Sequence, residues 1–131
     1  MSREFKFKLK VYYEDTDSGG VVYYANYLKF LERARTEALN SDGLSNQILL
    51  KKYQTLLIVK SCKIEYLMPA KLEDTLEIFS KIISRTRSSF LIEQIVKKND
   101  QIITDAEVLI VTVNEKGKPI KIPDILEKFL N

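Results

Sequence analysis

Histidine is absent from all 131 residues. That removes Ser-His-Asp and Cys-His nucleophile systems and every metal site built on imidazole, and leaves carboxylates, lysines, tyrosines and backbone dipoles for chemistry. Cys62 is the one cysteine, so no intramolecular disulfide can form, in agreement with a reducing compartment. It falls within an apolar strand pattern, where a buried structural thiol is expected. With only four glycines and three prolines, the chain reads as neither disordered nor low-complexity. No apolar run approaches the length of a membrane span. The N-terminal stretch Met1-Ser2-Arg3-Glu4-Phe5-Lys6 lacks the apolar core and small-residue cleavage pattern of a signal peptide, so the cytoplasm is the expected location.

What is present suits one domain spanning 1–131, long enough to bury roughly two-thirds of the surface its unfolded form exposes. Hydrophobic residues make up 45% and charged residues 30%. A net charge of +3 is too weak to argue for nucleic acid and equally suits a phosphorylated small molecule.

From Phe5 to Tyr13 the residues alternate, with Phe5, Phe7, Leu9 and Val11 opposite Lys6, Lys8 and Lys10, which predicts a half-buried strand. Tyr24, Tyr27, Leu28, Leu31, Ala34, Ala38 and Leu39 then recur at three- and four-residue spacing, predicting a helix of about four or five turns ended by Gly43. Arg35 projects into that apolar face, as a snorkelling or ion-paired arginine or as a ligand contact. Glu32, at the edge of the same face and within (i, i+3) reach, is either its partner or a substrate-facing carboxylate. Residues 45–53 read as a short helix or loop. Four β-rich runs follow, at 56–67, 76–84, 90–98 and 102–113, with short turns between them that imply antiparallel pairing. Pro123 marks the first position of a short C-terminal helix. The sum is an α+β layer pair, one long helix on a curved antiparallel sheet of about five strands. Its long strands leave edges to cover, so self-association is the default.

The chain is organised around Glu14-Asp15-Thr16-Asp17-Ser18-Gly19-Gly20, between the first strand and the long helix. A calcium loop does not fit, because Gly19 stands at the fifth position and Asn26 at the twelfth, where a bidentate Glu is required. A phosphotransferase Asp-x-Asp needs a parallel α/β sheet that these strands do not supply. Two readings stay open. Asp15 or Asp17 caps the helix or a turn, or a carboxylate stands beside helix N-terminal N–H groups able to stabilise an oxyanion, which suits acyl transfer. Gly19 and Gly20 would let backbone approach the acyl group.

The stretch from Tyr12 through Glu14-Asp15-Thr16-Asp17-Ser18-Gly19-Gly20 to Asn26-Tyr27-Leu28-Lys29-Phe30 closely resembles the signature of the 4-hydroxybenzoyl-CoA thioesterase family. It is most similar to the small bacterial acyl-CoA thioesterases associated with the Tol-Pal system. The stretch Ile64-Glu65-Tyr66-Leu67-Met68-Pro69-Ala70-Lys71-Leu72-Glu73-Asp74 is similar to that family's strand-to-strand connection, and the element order matches its hotdog fold along nearly the whole chain. The resemblance implies hydrolysis of an acyl-CoA thioester without a cofactor or metal, by Asp17 as nucleophile or general base. Backbone N–H groups near Tyr24 would form the oxyanion site, with Tyr24, Gly20 and Glu32 at the substrate. It also implies a homo-oligomer, a dimer of dimers forming a homotetramer, with the site between subunits and an acyl carrier protein as a further partner. By position, Arg87, Ser88 and Lys118 would hold CoA, with Arg85 beside them, since phosphate recognition favours the arginine fork. The Tol-Pal-associated branch carries His where this chain has Tyr24, and the 4-hydroxybenzoyl-CoA branch carries Tyr, so proton transfer through imidazole is not available here. A non-catalytic acyl-CoA or acyl-carrier binding module is the alternative, and a hotdog dehydratase fits less well, because those resemble a His-based mechanism and this chain has no His.

Overall fold

The N-terminal alternation forms strand β1, Glu4–Lys10, in a computed structural model that describes residues 3–131. Met1 and Ser2, where the reading of the N-terminus begins, lie outside the described residues. Strand β1 stops three residues short of the expected Tyr13, because Tyr13–Asp15 winds into a 3-10 turn. Strands β2 (Leu56–Tyr66), β3 (Thr75–Arg85), β4 (Ser89–Lys98) and β5 (Gln101–Val113) follow the expected runs closely. They pair antiparallel in the order β1-β3-β4-β5-β2, leaving β1 and β2 as edges.

Helix α1, Asn26–Ser41, lies across one face of this sheet and buries Tyr27, Phe30, Leu31, Ala34, Ala38 and Leu39. Its two small alanines let the helix come close to the strands. Two expected members of the stripe are corrected. Tyr24 precedes the helix and is 59% exposed, and Leu28, rotated about 100° from Tyr27, is 47% exposed. Phe30, absent from the expected stripe, is fully buried. Gly43 ends the helix as expected, with φ +78°, its N–H on Asn40 O and the Leu44 N–H on Leu39 O. Residues 46–53 form helix α2, Asn46–Tyr53, capped by the Ser45 side chain at 3.0 Å from Ile48 N. Pro123 sits one position earlier than expected, ahead of a 3-10 turn at Asp124–Leu126 that runs into helix α3, Glu127–Leu130.

Under α1 the buried face of the sheet carries Leu76, Ile78, Phe90, Ile92, Val96, Ala106, Val108 and Ile110, continuous with Phe129 and Leu130 from the C-terminus. This is the hotdog arrangement, a helix wrapped by a curved antiparallel sheet. Cys62 is exposed, against expectation, because β2 is an edge strand and its middle is open. Partial burial of the sulfur still pushes its thiol pKa up, so the group is a poor nucleophile. Among the described residues no helix is long and apolar enough to cross a membrane.

Candidate active site

The junction folds as a tight hairpin locked to the strand connection beside it. The Asp15 N–H bonds Tyr12 O at 3.0 Å, and the Asp15 carboxylate takes the Tyr12 N–H at 2.9 Å. The Asp15 carbonyl accepts the Tyr23 N–H at 3.0 Å and the Asn26 side-chain amide at 2.8 Å. Asp15 is buried, so its polar atoms are committed to holding the turn against the helix start. A bridge between Thr16 and Val22 continues the hairpin, and the Val22 N–H on Ala70 O at 2.8 Å ties it to the 67–74 connection.

Asp17 stands at the exposed tip. Its N–H bonds Val21 O at 2.9 Å, its carbonyl accepts the Gly20 N–H at 3.0 Å, and its Oδ1 accepts the Gly19 N–H at 2.8 Å. That Asx turn aims the carboxylate without burying it. A Cβ on Gly19 would come within 3.2 Å of Oδ1, so this glycine leaves room for the carboxylate. Gly20 is needed for a different reason than expected. Open space surrounds it, but its φ of +81° lies where an L side chain is strained.

The start of α1 has no side-chain cap. Asn26 N–H bonds Tyr23 O at 2.8 Å, Tyr27 N–H bonds Tyr24 O at 3.3 Å, and Leu28 N–H bonds Ala25 O at 3.2 Å. The N–H groups of Tyr24 and Ala25 have no hydrogen-bond partner among the described residues. Two donors at the positive end of a 16-residue helix are thus free for an anion. Beside them Val22, Tyr24, Tyr27, Tyr66, Leu67, Met68 and Pro69 line an open cleft of about 220 Å³. The Tyr24 and Tyr66 rings meet edge to face at 6.0 Å, and Tyr27 lies 5.7 Å from Tyr66.

Glu32 is two turns into α1 and exposed, with Thr36 Oγ1 donating to its carboxylate at 2.7 Å. The expected ion pair with Arg35 does not form. Arg35 instead donates to Gln94 Oε1 at 3.0 Å, and burial lowers its pKa. Fully buried Gln94 also donates from Nε2 to Leu31 O at 3.0 Å and Ser80 Oγ at 2.9 Å, fastening α1 to β3 and β4. Glu32, Arg35, Leu57, Val59 and Phe129 line part of a separate cavity of about 80 Å³.

Arg87 and Ser88 share a surface with Lys118. Arg87 O accepts the Ile122 N–H at 2.8 Å, Ser88 O accepts the Thr112 N–H at 2.9 Å, and Lys118 O accepts the Asn114 N–H at 2.9 Å. Arg85 is removed from this group, because Glu127 takes its guanidinium at 2.7 and 2.9 Å. Within one chain these basic residues do not meet Asp17. Tyr66 pairs with Thr104, whereas Ser89 pairs with Val111. Seven residues of strand, roughly 24 Å at about 3.4 Å each, separate the two ends.

Sequence reasoning missed Gln94, which beside Glu93 reads as an ordinary polar position of a strand, and gave no role to Tyr66, although it stands within the family-like stretch. No group of three or more His, Cys, Asp or Glu able to hold a metal ion occurs among the described residues.

A thioesterase-like superfamily model matches residues 11–130. The chain is 43% identical over 121 residues to the acyl-CoA thioester hydrolase YbgC of Escherichia coli O6:H1, covering 91% of this chain and 90% of that protein. It is 41% identical over 120 residues to the acyl-CoA thioesterase YbgC of Haemophilus influenzae, covering 91% and 88%. Among solved structures, the "probable thioesterase" of Bartonella henselae superposes with a TM-score of 0.89 at 33% identity, over 92% of this chain and 100% of that one.

Proposed function

The chain belongs to the thioesterase-like superfamily, and from that premise we propose that it hydrolyses acyl-CoA thioesters with Asp17 as the reacting carboxylate. The observation that carries this reading is the pair of free N–H groups, Tyr24 and Ala25, at the start of α1, in the segment that joins the Asp17 hairpin to the helix and supplies Tyr24 to the cleft lining. A thioester carbonyl placed on those donors gains stabilisation as its oxygen becomes an oxyanion, about 3–4 kcal/mol for one well-placed donor. A carboxylate can serve as nucleophile or base without an imidazole partner. Either its oxygen attacks the acyl carbon, expelling CoA thiolate and leaving an anhydride for water to cleave, or it takes a proton from an attacking water. Both routes end in the free acid and CoA.

A second copy of the chain completes the site in this reading. The open edge of β2 can pair antiparallel with β2 of another copy, which sets one chain's Tyr66 end beside the other's Leu56 end. Arg87, Ser88 and Lys118 of one subunit then stand at the Asp17 end of its neighbour and can take CoA phosphates. Two such pairs would make the tetramer. A single cysteine suits the reducing cytoplasm as the place of reaction.

The test is steady-state hydrolysis of a panel of acyl-CoAs and an acyl carrier protein thioester by wild type and Asp17→Asn. The substitution is expected to lower kcat/KM by about a hundredfold or more. Equal hydrolysis by the two proteins overturns the assignment of Asp17, and tight acyl-CoA binding without turnover by wild type supports the non-catalytic alternative.

A further inference from the structure

We infer that Tyr66 is a positioning residue that orients the oxyanion donors at the start of α1. The inference rests on the reading above, in which the Tyr24 and Ala25 N–H groups receive the thioester oxygen. A peptide unit is a rigid plane in which the carbonyl and the following N–H point in opposite directions. What holds a carbonyl therefore aims the next residue's N–H. The plane carrying the Tyr24 N–H is set by the Tyr23 carbonyl, which takes the Asn26 N–H at 2.8 Å. The plane carrying the Ala25 N–H is set by the Tyr24 carbonyl, which takes the Tyr27 N–H only at 3.3 Å.

That second plane is held more loosely, and it is the one Tyr66 reaches. The Tyr66 hydroxyl donates to Tyr24 O at 3.4 Å, the one side-chain donor to that carbonyl among the described residues. Contacts with the Tyr24 and Tyr27 rings hold the Tyr66 ring in place. Burial pushes the Tyr66 pKa above the ordinary tyrosine range, so the hydroxyl keeps the proton it donates. Tyr66 comes from the end of β2, so the bond ties the donor peptide to the sheet. It is long, so its contribution is modest, and it acts on the direction of a donor without touching the reacting atoms.

Tyr66→Phe keeps the ring and removes only the hydroxyl. Its expected effect is a fall of about tenfold in kcat with KM unchanged, less than the loss of a whole oxyanion donor. A CoA derivative with a trifluoromethyl ketone in place of the thioester should bind the variant weaker by the same factor. The matching thioether, which has no carbonyl oxygen, should bind both proteins equally. Unchanged kcat, or a proportional loss of thioether binding, overturns the inference and leaves Tyr66 as a wall of the cleft. Thermal unfolding checks that the variant is folded, and Tyr66→Leu, which also removes the ring contacts, should raise KM as well. Asp17→Asn run alongside separates the two ideas: turnover retained there removes the underlying reading, whereas turnover lost there but kept in Tyr66→Phe removes the positioning role alone.

Discussion

Asp15 and Asp17 are two residues apart and do opposite things with their carboxylates. Asp15 is buried and takes the Tyr12 N–H at 2.9 Å, closing the turn that starts the hairpin. Asp17 is exposed at the tip and held by the Gly19 N–H at 2.8 Å, with its Oδ1 3.2 Å from where a Gly19 Cβ would stand.

Stability and turnover should therefore separate between them. Asp15→Ala orphans the Tyr12 N–H and is expected to cost about 1–3 kcal/mol in urea unfolding. Asp17→Ala should unfold within about 0.5 kcal/mol of wild type while losing acyl-CoA hydrolysis. Equal unfolding midpoints for Asp15→Ala and wild type would remove the supporting role given to Asp15.

Two buried polar residues should respond with opposite signs. Gln94→Ala leaves Ser80, the Leu31 carbonyl and Arg35 without their shared partner and opens a cavity, for an expected loss of about 3 kcal/mol. The Thr104 hydroxyl is fully buried and has no partner among the described residues, so Thr104→Val should be neutral or stabilising by about 1 kcal/mol. Both are read from urea midpoints at constant slope, and a destabilising Thr104→Val would mean that the hydroxyl does bond.

If the site is built from two chains, defects at its two ends should complement. Asp17→Asn and Arg87→Ala, each weak alone at low acyl-CoA, are expected to regain activity when unfolded together and refolded as a mixture. Hybrid dimers then hold one site with both native residues. Simple averaging of the two activities would point to a site within one chain. Val59→Asp on the β2 edge should shift sedimentation toward monomer and lower turnover with it.

Acid should loosen the clamp between the N-terminus and the end of α1. Arg3 donates to Asp42 through Nη1 at 3.0 Å and through Nη2, and to Lys128 O at 2.7 Å. The Arg3 hydrogen bond holds the Asp42 carboxyl below its usual range. Because the folded value lies below the unfolded one, the stabilisation is complete above the unfolded value of about 3.9. It is lost as pH falls through the folded value, since the unfolded chain takes the proton first. Asp42→Asn should cost about 1 kcal/mol at neutral pH, kept small by the 40% exposure of Arg3. It should also flatten the acid limb of a stability-pH curve, and an unchanged limb would show that the pair contributes nothing.

Elements and their order were legible in the residues because their signals are local. Alternation in 76–84, 90–98 and 102–113 and the three- and four-residue spacing after Tyr24 record which side chains must leave water, and strand and helix periods follow from backbone geometry alone. The junction was legible for a similar reason, since two aspartates and two glycines between a strand and a helix have few uses. Fine boundaries were not. Strand β1 gave way at Lys10 because the Asp15 turn needs Tyr12 as its partner, a competition between two local structures that composition does not settle.

The sequence by itself determined the α+β class, the antiparallel strands, the place of the acidic hairpin and, through the missing histidine, that any chemistry here works without imidazole. Tertiary structure alone decided which carboxylate is buried, because burial depends on what packs against a turn from elsewhere in the chain. It exposed Cys62 by making β2 an edge, a property of strand order that no residue in β2 encodes. It gave Arg35 to Gln94, 59 residues away, and not to its helical neighbour Glu32. It also set Arg87 and Lys118 at the far end of the sheet from Asp17, since antiparallel register fixes where each strand's ends lie.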